Sequence, residues 1–254
     1  MEEMGISPLR VTSVREACVR FLEQKILSGE WEIGARLPSE RHLASSLEVS
    51  RLILHEAIVE LAAKGLVEII PRRGIFIADF RRDGAVGLLS SLMNFQNGEL
   101  DPHFISSLVD MRLLLETETA RLAALNRDKD HIRELEAILA LESAARVDDH
   151  ETLTQLDFSL HQAIAIASGN LMYPMIINSF KRVYTTLTGK FFQHYSGSGV
   201  ISELLNHHRG LVGAIKDRDS QNAEVIMRLM LTEGVNLLRK VLGLNHQLEG
   251  NNDS

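Results

Sequence analysis

The chain contains one cysteine, one tryptophan, three tyrosines and five prolines in 254 residues, and each scarcity removes a class of explanation. A single thiol, Cys18, forms no internal disulfide and cannot build a cysteine-rich zinc site, so its expected role is packing within the first helix. Aromatic residues make up only 5%; with leucine, alanine and glutamate abundant, the bulk of the chain should be helical. No apolar run approaches the roughly 20 residues of a membrane span. The start, MEEMGISPLR, lacks the basic and apolar regions of a secretion signal. The expectation is a soluble cytoplasmic protein with no membrane partner. No serine, cysteine or threonine nucleophile stands beside an evident base, and no glycine-rich phosphate cradle is found, which argues against an enzyme.

There is no excess of positive charge either: 27 Lys and Arg face 34 Asp and Glu, a balance of −7. The charge is unevenly spread. Up to Arg82 the count is 12 against 12, and the remainder holds 15 against 22. Only the first part could approach a polyanion without strong repulsion, and even there binding would lean on placed arginines rather than on net charge.

What is present begins at Arg36. The stretch RLPSERHLASSLEVSRLILHEAIVELAAKGLVEIIPRRGIFIA reads as a short helix, a tight turn, a second helix and a hairpin. Pro38 lies just inside a helix start, and Ser39 and Glu40 supply capping groups. Ser50 serves as N-cap of a second helix whose positions Ile53, Ala57, Ile58, Leu61 and Ala62 follow a 3.6 period, and Gly65 stops it. LVEII and GIFIA are β-branched runs joined by Pro71, Arg72, Arg73 and Gly74, a hairpin with two guanidinium groups at its tip. A helix-turn-helix followed by a basic hairpin is a winged helix. Such a module places the second helix in the major groove of double-stranded DNA while cations elsewhere hold phosphates, which makes Arg41, Arg51, Arg72 and Arg73 the contact candidates.

These residues resemble the N-terminal domain of GntR-type bacterial transcription regulators over roughly residues 10 to 80. The resemblance puts Arg41, Arg51 and Gly74 on motif positions, Arg41 and Arg51 on DNA-contacting ones. Ser50 and His55 fall within the same reading segment. After Ser50-Arg51 the family commonly has small polar residues and then an arginine, whereas this chain has Leu52, Ile53, Leu54 and His55. The missing arginine removes one contact, and Leu52 and Leu54 put apolar groups where hydroxyls are usual; a thymine methyl is one group that Leu52 could face.

Residues 1–78 are thus expected to form the winged helix-turn-helix domain, 79–84 a linker, 85–244 an all-helical antiparallel bundle and 245–254 a tail. Amphipathic segments run over roughly 85–95, 102–125, 128–146, 150–168, 171–195, 200–217 and 219–243, with breaks at helix-stopping residues such as Asn97-Gly98, Asp101-Pro102 and Gly169-Asn170. Short connections between long helices imply antiparallel neighbours. The fold class is mainly α with one small β-hairpin.

Within the bundle, LDFSLHQAIAIASGN places Asp157 and His161 four residues apart on one helix face, and NHHRGLVGAI places His208 on a later helix. Such a set suits a divalent metal, although an Asp and a His at this spacing more often form an ordinary pair. These segments, with DMRLLLETETARLAA and AEVIMRLM, resemble the FCD domain of the FadR subfamily over roughly residues 85 to 243. That resemblance implies a bound zinc, nickel or manganese helping to hold a small carboxylate, with Asp157, His161 and His208 as ligands and Met230 at the fourth ligand position, where a thioether is a poor substitute. It also places Arg112 inward, facing an acidic effector or paired with Glu116 or Asp157. A second resemblance, to acyl-CoA-responsive members, implies a metal-free cavity lined by Tyr184, Thr185, Lys190 and Tyr195, and includes Asn170 in its ASGN motif.

The function expected is a homodimeric, effector-responsive regulator binding a palindromic operator, its DNA affinity modulated by a small acidic metabolite. Its rivals are a metal-dependent hydrolase in the bundle and a DNA-binding protein that ignores effectors.

Overall fold

The computed structural model describes residues 13–85, 87–88, 91 and 102–243, which divide into two units between Glu99 and Leu100. Most of the segment expected at 85–95, the Asn97-Gly98 break and the tail lie outside the described residues. The architecture is mainly helical with one two-stranded antiparallel hairpin, as the patterning predicts.

In the first unit α1 spans Val14–Leu27, α2 Glu40–Ser46, α3 Arg51–Ala63, β1 Val67–Ile70, β2 Gly74–Ile77 and α4 Phe80–Asp83. Side-chain caps define the helix starts. Ser13 and Glu16 form a capping box on α1, Ser39 caps α2, and the Ser50 hydroxyl accepts the Ile53 N–H at 3.2 Å to open α3. Leu54, Ala57, Ile58 and Leu61 form the buried seam of α3 against α1 and the strands. Leu54 is therefore a core residue and presents nothing to a groove, contrary to the sequence expectation: it follows Ser50 by one helical turn and faces inward with Ala57, Ile58 and Leu61.

Gly65 ends α3 in the left-handed region at φ +73°, and a Cβ there would come within 2.0 Å of the Asp83 carbonyl oxygen. Both the reversal of the chain and the close passage of α4 thus require glycine. The hairpin pairs Val67 with Ile77 and Ile70 with Gly74. Residues 79–84, read from the sequence as a linker, contain α4, and the chain then returns Leu88 to the core of this unit. A buried polar cluster joins the same parts: Lys64 Nζ lies 2.7 Å from Glu23 and 2.8 Å from Glu60, and the Ser91 hydroxyl donates to Glu23 at 2.6 Å. Burial works against the charged Lys64, but its two carboxylate partners outweigh that cost and raise its pKa.

The second unit consists of α5 (Pro102–Asn126), α6 (Lys129–Ala144), α7 (His150–Ala167), α8 (Met172–Ser179), α9 (Lys181–His194), α10 (Gly199–Lys216) and α11 (Ser220–Val241). Asp128, Asp149 and Asp219 cap α6, α7 and α11. The single helix expected over 171–195 divides at Phe180, whose backbone leaves the helical region (φ −110°, ψ 19°) and whose ring is buried. This break lets α9 turn Val183, Tyr184, Leu187 and Phe191 into the interior. α7 packs against α5, α6, α8 and α9 and buries Leu153, Phe158, Leu160, Ala163 and Ile164 on nearly every side. Asp157 and His161 lie on this central helix, so their polar groups enter the core.

Candidate functional site

On the first unit the N-terminal half of α3 exposes Arg51, Leu52 and His55. The His55 ring is held in place by Glu40 at the start of α2, with Nδ1 3.2 Å from Oε1. Arg41 is exposed on α2. At the wing tip Arg72 adopts a left-handed conformation (φ +63°), Arg72 and Arg73 are exposed, and the Arg73 guanidinium lies 5.9 Å from the centre of the Phe76 ring. Gly74 has φ +121°, and a Cβ there would lie 2.8 Å from Arg36 Nε. The Arg36 guanidinium therefore lies across the start of β2, added to the wing by a backbone bridge between Arg36 and Phe76. Arg36 was not among the sequence candidates. Its neighbour on the wing is 38 residues away, so only the folded chain brings it there. Arg41, Arg51, Arg72 and Arg73 all reach solvent; Ser50 spends its hydroxyl on the helix cap.

In the second unit, Asp157 and His161 on α7 meet His208 on α10, with one ligand atom from each lying within 4.8 Å of the others and all three residues buried. The shell around them was only partly visible in the sequence. The Tyr184 hydroxyl donates to Asp157 Oδ2 at 2.7 Å. His208 Nδ1 is 2.9 Å from Glu142 Oε1, while its Nε2 points toward Asp157 Oδ1 at 3.5 Å and has no hydrogen-bond partner. His161 Nδ1 contacts Glu116 Oε2. Arg112 Nε donates to Glu116 Oε1 at 2.5 Å, and its guanidinium stacks 4.0 Å from the centre of the Tyr184 ring. Burial would raise the Glu116 pKa, but Arg112 and His161 hold it down to about 2. Burial also opposes protonation of His208, yet Glu142 and Asp157 raise its pKa on balance. Burial and the adjacent Asp157 drive the Tyr184 hydroxyl well above its usual range.

A cavity of about 80 Å³ opens beside this network, lined by Arg112, Asp157, His161, Tyr184 and Met230 together with apolar residues such as Phe191. That is room for several waters or a small organic acid. Four residues expected at the effector site lie away from it: Thr185, whose hydroxyl donates to the Lys181 carbonyl at 3.0 Å, and Tyr195, whose hydroxyl donates to the Leu237 carbonyl at 3.4 Å, are outside its lining, as are Asn170 and Lys190. Asn170 is exposed and accepts the Met172 N–H at 2.9 Å across the α7–α8 turn, and Lys190 is exposed on the outer side of α9. Arg112 is paired with Glu116 and also lines the cavity.

The donors fit a divalent metal. An aspartate and two histidines converge, and the orphaned, fully buried Nε2 of His208 is positioned as a ligand. His208 carries a carboxylate at Nδ1, the arrangement that orients metal-binding histidines, while Glu116 lies against His161 Nδ1 without completing a hydrogen bond. Charge points the same way: Glu116, Glu142 and Asp157 are three buried acids facing one permanent cation, Arg112, and a divalent ion restores balance with both imidazoles neutral. Glu142 was missed in the sequence reading because 66 residues separate it from His208 and no motif joins them.

A winged helix-turn-helix followed by an all-helical unit with a polar, cavity-bearing interior defines a transcription regulator. Residues 14–77 match the family model described as bacterial regulatory proteins, gntR family, and residues 107–233 match the FCD domain. The chain belongs to the GntR family and is a regulator of the FadR type carrying an FCD domain. It is 34% identical over 183 residues to the HTH-type transcriptional regulator Mce2R of Mycobacterium tuberculosis (strain CDC 1551 / Oshkosh), covering 71% of this chain and 74% of that one. It is 27% identical over 219 residues to the fatty acid metabolism regulator protein of Erwinia tasmaniensis, covering 81% and 89%. The solved structure of Lar, which controls expression of the Listeria monocytogenes agr system, superposes with a TM-score of 0.59 at 16% identity over 91% of this chain and 99% of that one, a similarity of fold. Among the described residues, no helix is long and apolar enough to cross a membrane.

Proposed function

We propose that this regulator binds a palindromic operator as a homodimer and that a small carboxylate, held beside a divalent metal in the helical unit, sets its affinity for DNA. The observation that carries the reading is the buried convergence of Asp157, His161 and His208, with Arg112, Asp157 and His161 also lining a small cavity, in a chain that also holds a winged helix. Asp157, His161 and His208 would hold the ion, which supplies a Lewis-acidic anchor for the carboxylate. Arg112, fixed by Glu116 and Tyr184, offers its remaining N–H groups to the same anion. Met230, in the cavity wall, offers no nitrogen, so a three-ligand ion would keep a position for water or effector. Zinc, nickel and manganese are the ions suited to this nitrogen and oxygen set. The cavity's size favours a small acid over a long acyl chain.

At the DNA end, Arg41, Arg51, Arg72 and Arg73 would carry phosphate or base contacts, with Arg36 beside them on the wing. Ser50 sets the start of α3, and Gly74 makes room for Arg36. His55 would approach the base edges with its orientation fixed by Glu40. Two-fold symmetry of a dimer makes the operator a palindrome. An effector acts only through different affinities for two arrangements of the dimer; a coupling of about 1–3 kcal/mol changes occupancy roughly 5-fold to 150-fold.

Substituting Arg51→Ala should weaken operator binding and reduce the slope of log affinity against log salt by about one. Fluorescence anisotropy over a salt series checks it, and an unchanged slope removes Arg51 from the phosphate contacts. For the sensor, a thermal-shift screen of small carboxylates and acyl-CoAs, with and without added metal, should give metal-dependent stabilisation by a small acid; stabilisation by acyl-CoA alone would overturn the pocket assignment.

A further inference from the structure

The buried seam of α3 accounts for its apolar residues Leu54, Ala57, Ile58 and Leu61, but not for Leu52. Leu52 stands in the first turn of the helix, two residues after the Ser50 cap, and is 67% exposed. It contributes nothing to the core. Its surroundings narrow what it can meet. Arg51 precedes it, exposed, and His55, one turn along the same face, is held by Glu40. The other exposed apolar residue of this helix, Val59, lies two turns further on, where Glu56 is exposed and Glu60 is engaged by Arg15 and Lys64. Acidic groups make the C-terminal half of α3 unsuited to a phosphate backbone. The N-terminal half carries the guanidinium of Arg51 and is free of acidic side chains of its own up to Glu56.

Helix N-termini of winged and related modules point at base edges in the major groove. Among those edges the thymine C5 methyl is the apolar group; the rest is a pattern of hydrogen-bond donors and acceptors. A leucine in this place gains nothing from a donor or acceptor and excludes water from whatever it touches. We infer that Leu52 reads a thymine methyl in each operator half-site, a base preference set by apolar contact from the exposed first turn of α3. This rests on the DNA-binding reading above and names the chemistry of one of its contacts.

The test uses the full-length protein. An operator is first selected from a random duplex pool, and each thymine of the selected half-site is then replaced singly by deoxyuridine, which removes the methyl and leaves the base pair. One position should weaken wild-type binding about four-fold, the worth of a buried methyl-sized group. The exposed-site variant Leu52→Ser should bind the thymine and uracil duplexes within two-fold of each other. A selected operator with no methyl-sensitive thymine, or a uracil penalty that survives in Leu52→Ser, overturns the Leu52 assignment while leaving the DNA-binding reading intact. Failure of the pool to yield any enriched sequence instead removes the DNA-binding reading, and the Leu52 contact with it.

Discussion

Glu116→Ala is expected to destabilise the helical unit by about 3–5 kcal/mol, the cost of leaving one member of a buried ion pair without its partner. The carboxylate is fully buried, accepts from Arg112 and contacts His161, so its removal strands a guanidinium that is itself only 16% exposed. For a unit of this size, each kcal/mol lowers the midpoint by roughly 2–4 °C, so calorimetry of the full-length protein should show a drop of about 10 °C. The double substitution Arg112→Met with Glu116→Leu removes both charges and should recover most of the loss, because an apolar pair of similar size bears no desolvation cost. A single substitution that lowers the midpoint by less than about 2 °C would mean that water reaches the pair and that the interior is not closed around it.

Metal binding should respond as strongly, and to residues that do not touch the ion. Glu142→Gln leaves the three ligands in place but weakens the acceptor that orients His208, and is expected to reduce affinity for zinc or nickel by about 10-fold to 100-fold. His161→Ala should abolish stoichiometric binding. Met230→His, which adds a nitrogen donor to the same cavity wall, should raise affinity. Elemental analysis of protein purified without a histidine tag, followed by competition with a chelator, measures all three. Wild-type protein that takes up no zinc, nickel or manganese, or takes up the same amount after His161→Ala, would leave Asp157, His161 and His208 as a hydrogen-bonded polar core.

The winged helix was legible in one dimension because its signals are local. Ser50 and Gly65 bracket α3 by a cap and a left-handed stop, and the hairpin alternates β-branched residues around a turn rich in Pro, Arg and Gly. Over residues 102–243 the bundle was legible as helices and breaks for the same reason, except at Phe180, where no glycine or proline marks the division and the ring is buried. Leu54 shows the limit of motif reading. It belongs to a segment associated with groove contact, yet one residue of helical rotation, about 100°, separates an outward side chain from an inward one.

By itself the sequence determined most of the helices and both strands, that Arg41, Arg51, Arg72 and Arg73 would fall on the winged helix, and that Asp157 and His161 must share a face, since four residues make one turn. The tertiary structure alone decided which charges meet. Glu142 beside His208, Tyr184 on Asp157, and Arg36 across Gly74 join residues 66, 27 and 38 positions apart, and whether Asn170 or Lys190 borders the cavity depends on how α7, α8 and α9 pack. The reason is one of range: capping, periodicity and turn preference act over a few residues, whereas burial and ion pairing act between whichever groups the packed helices bring together.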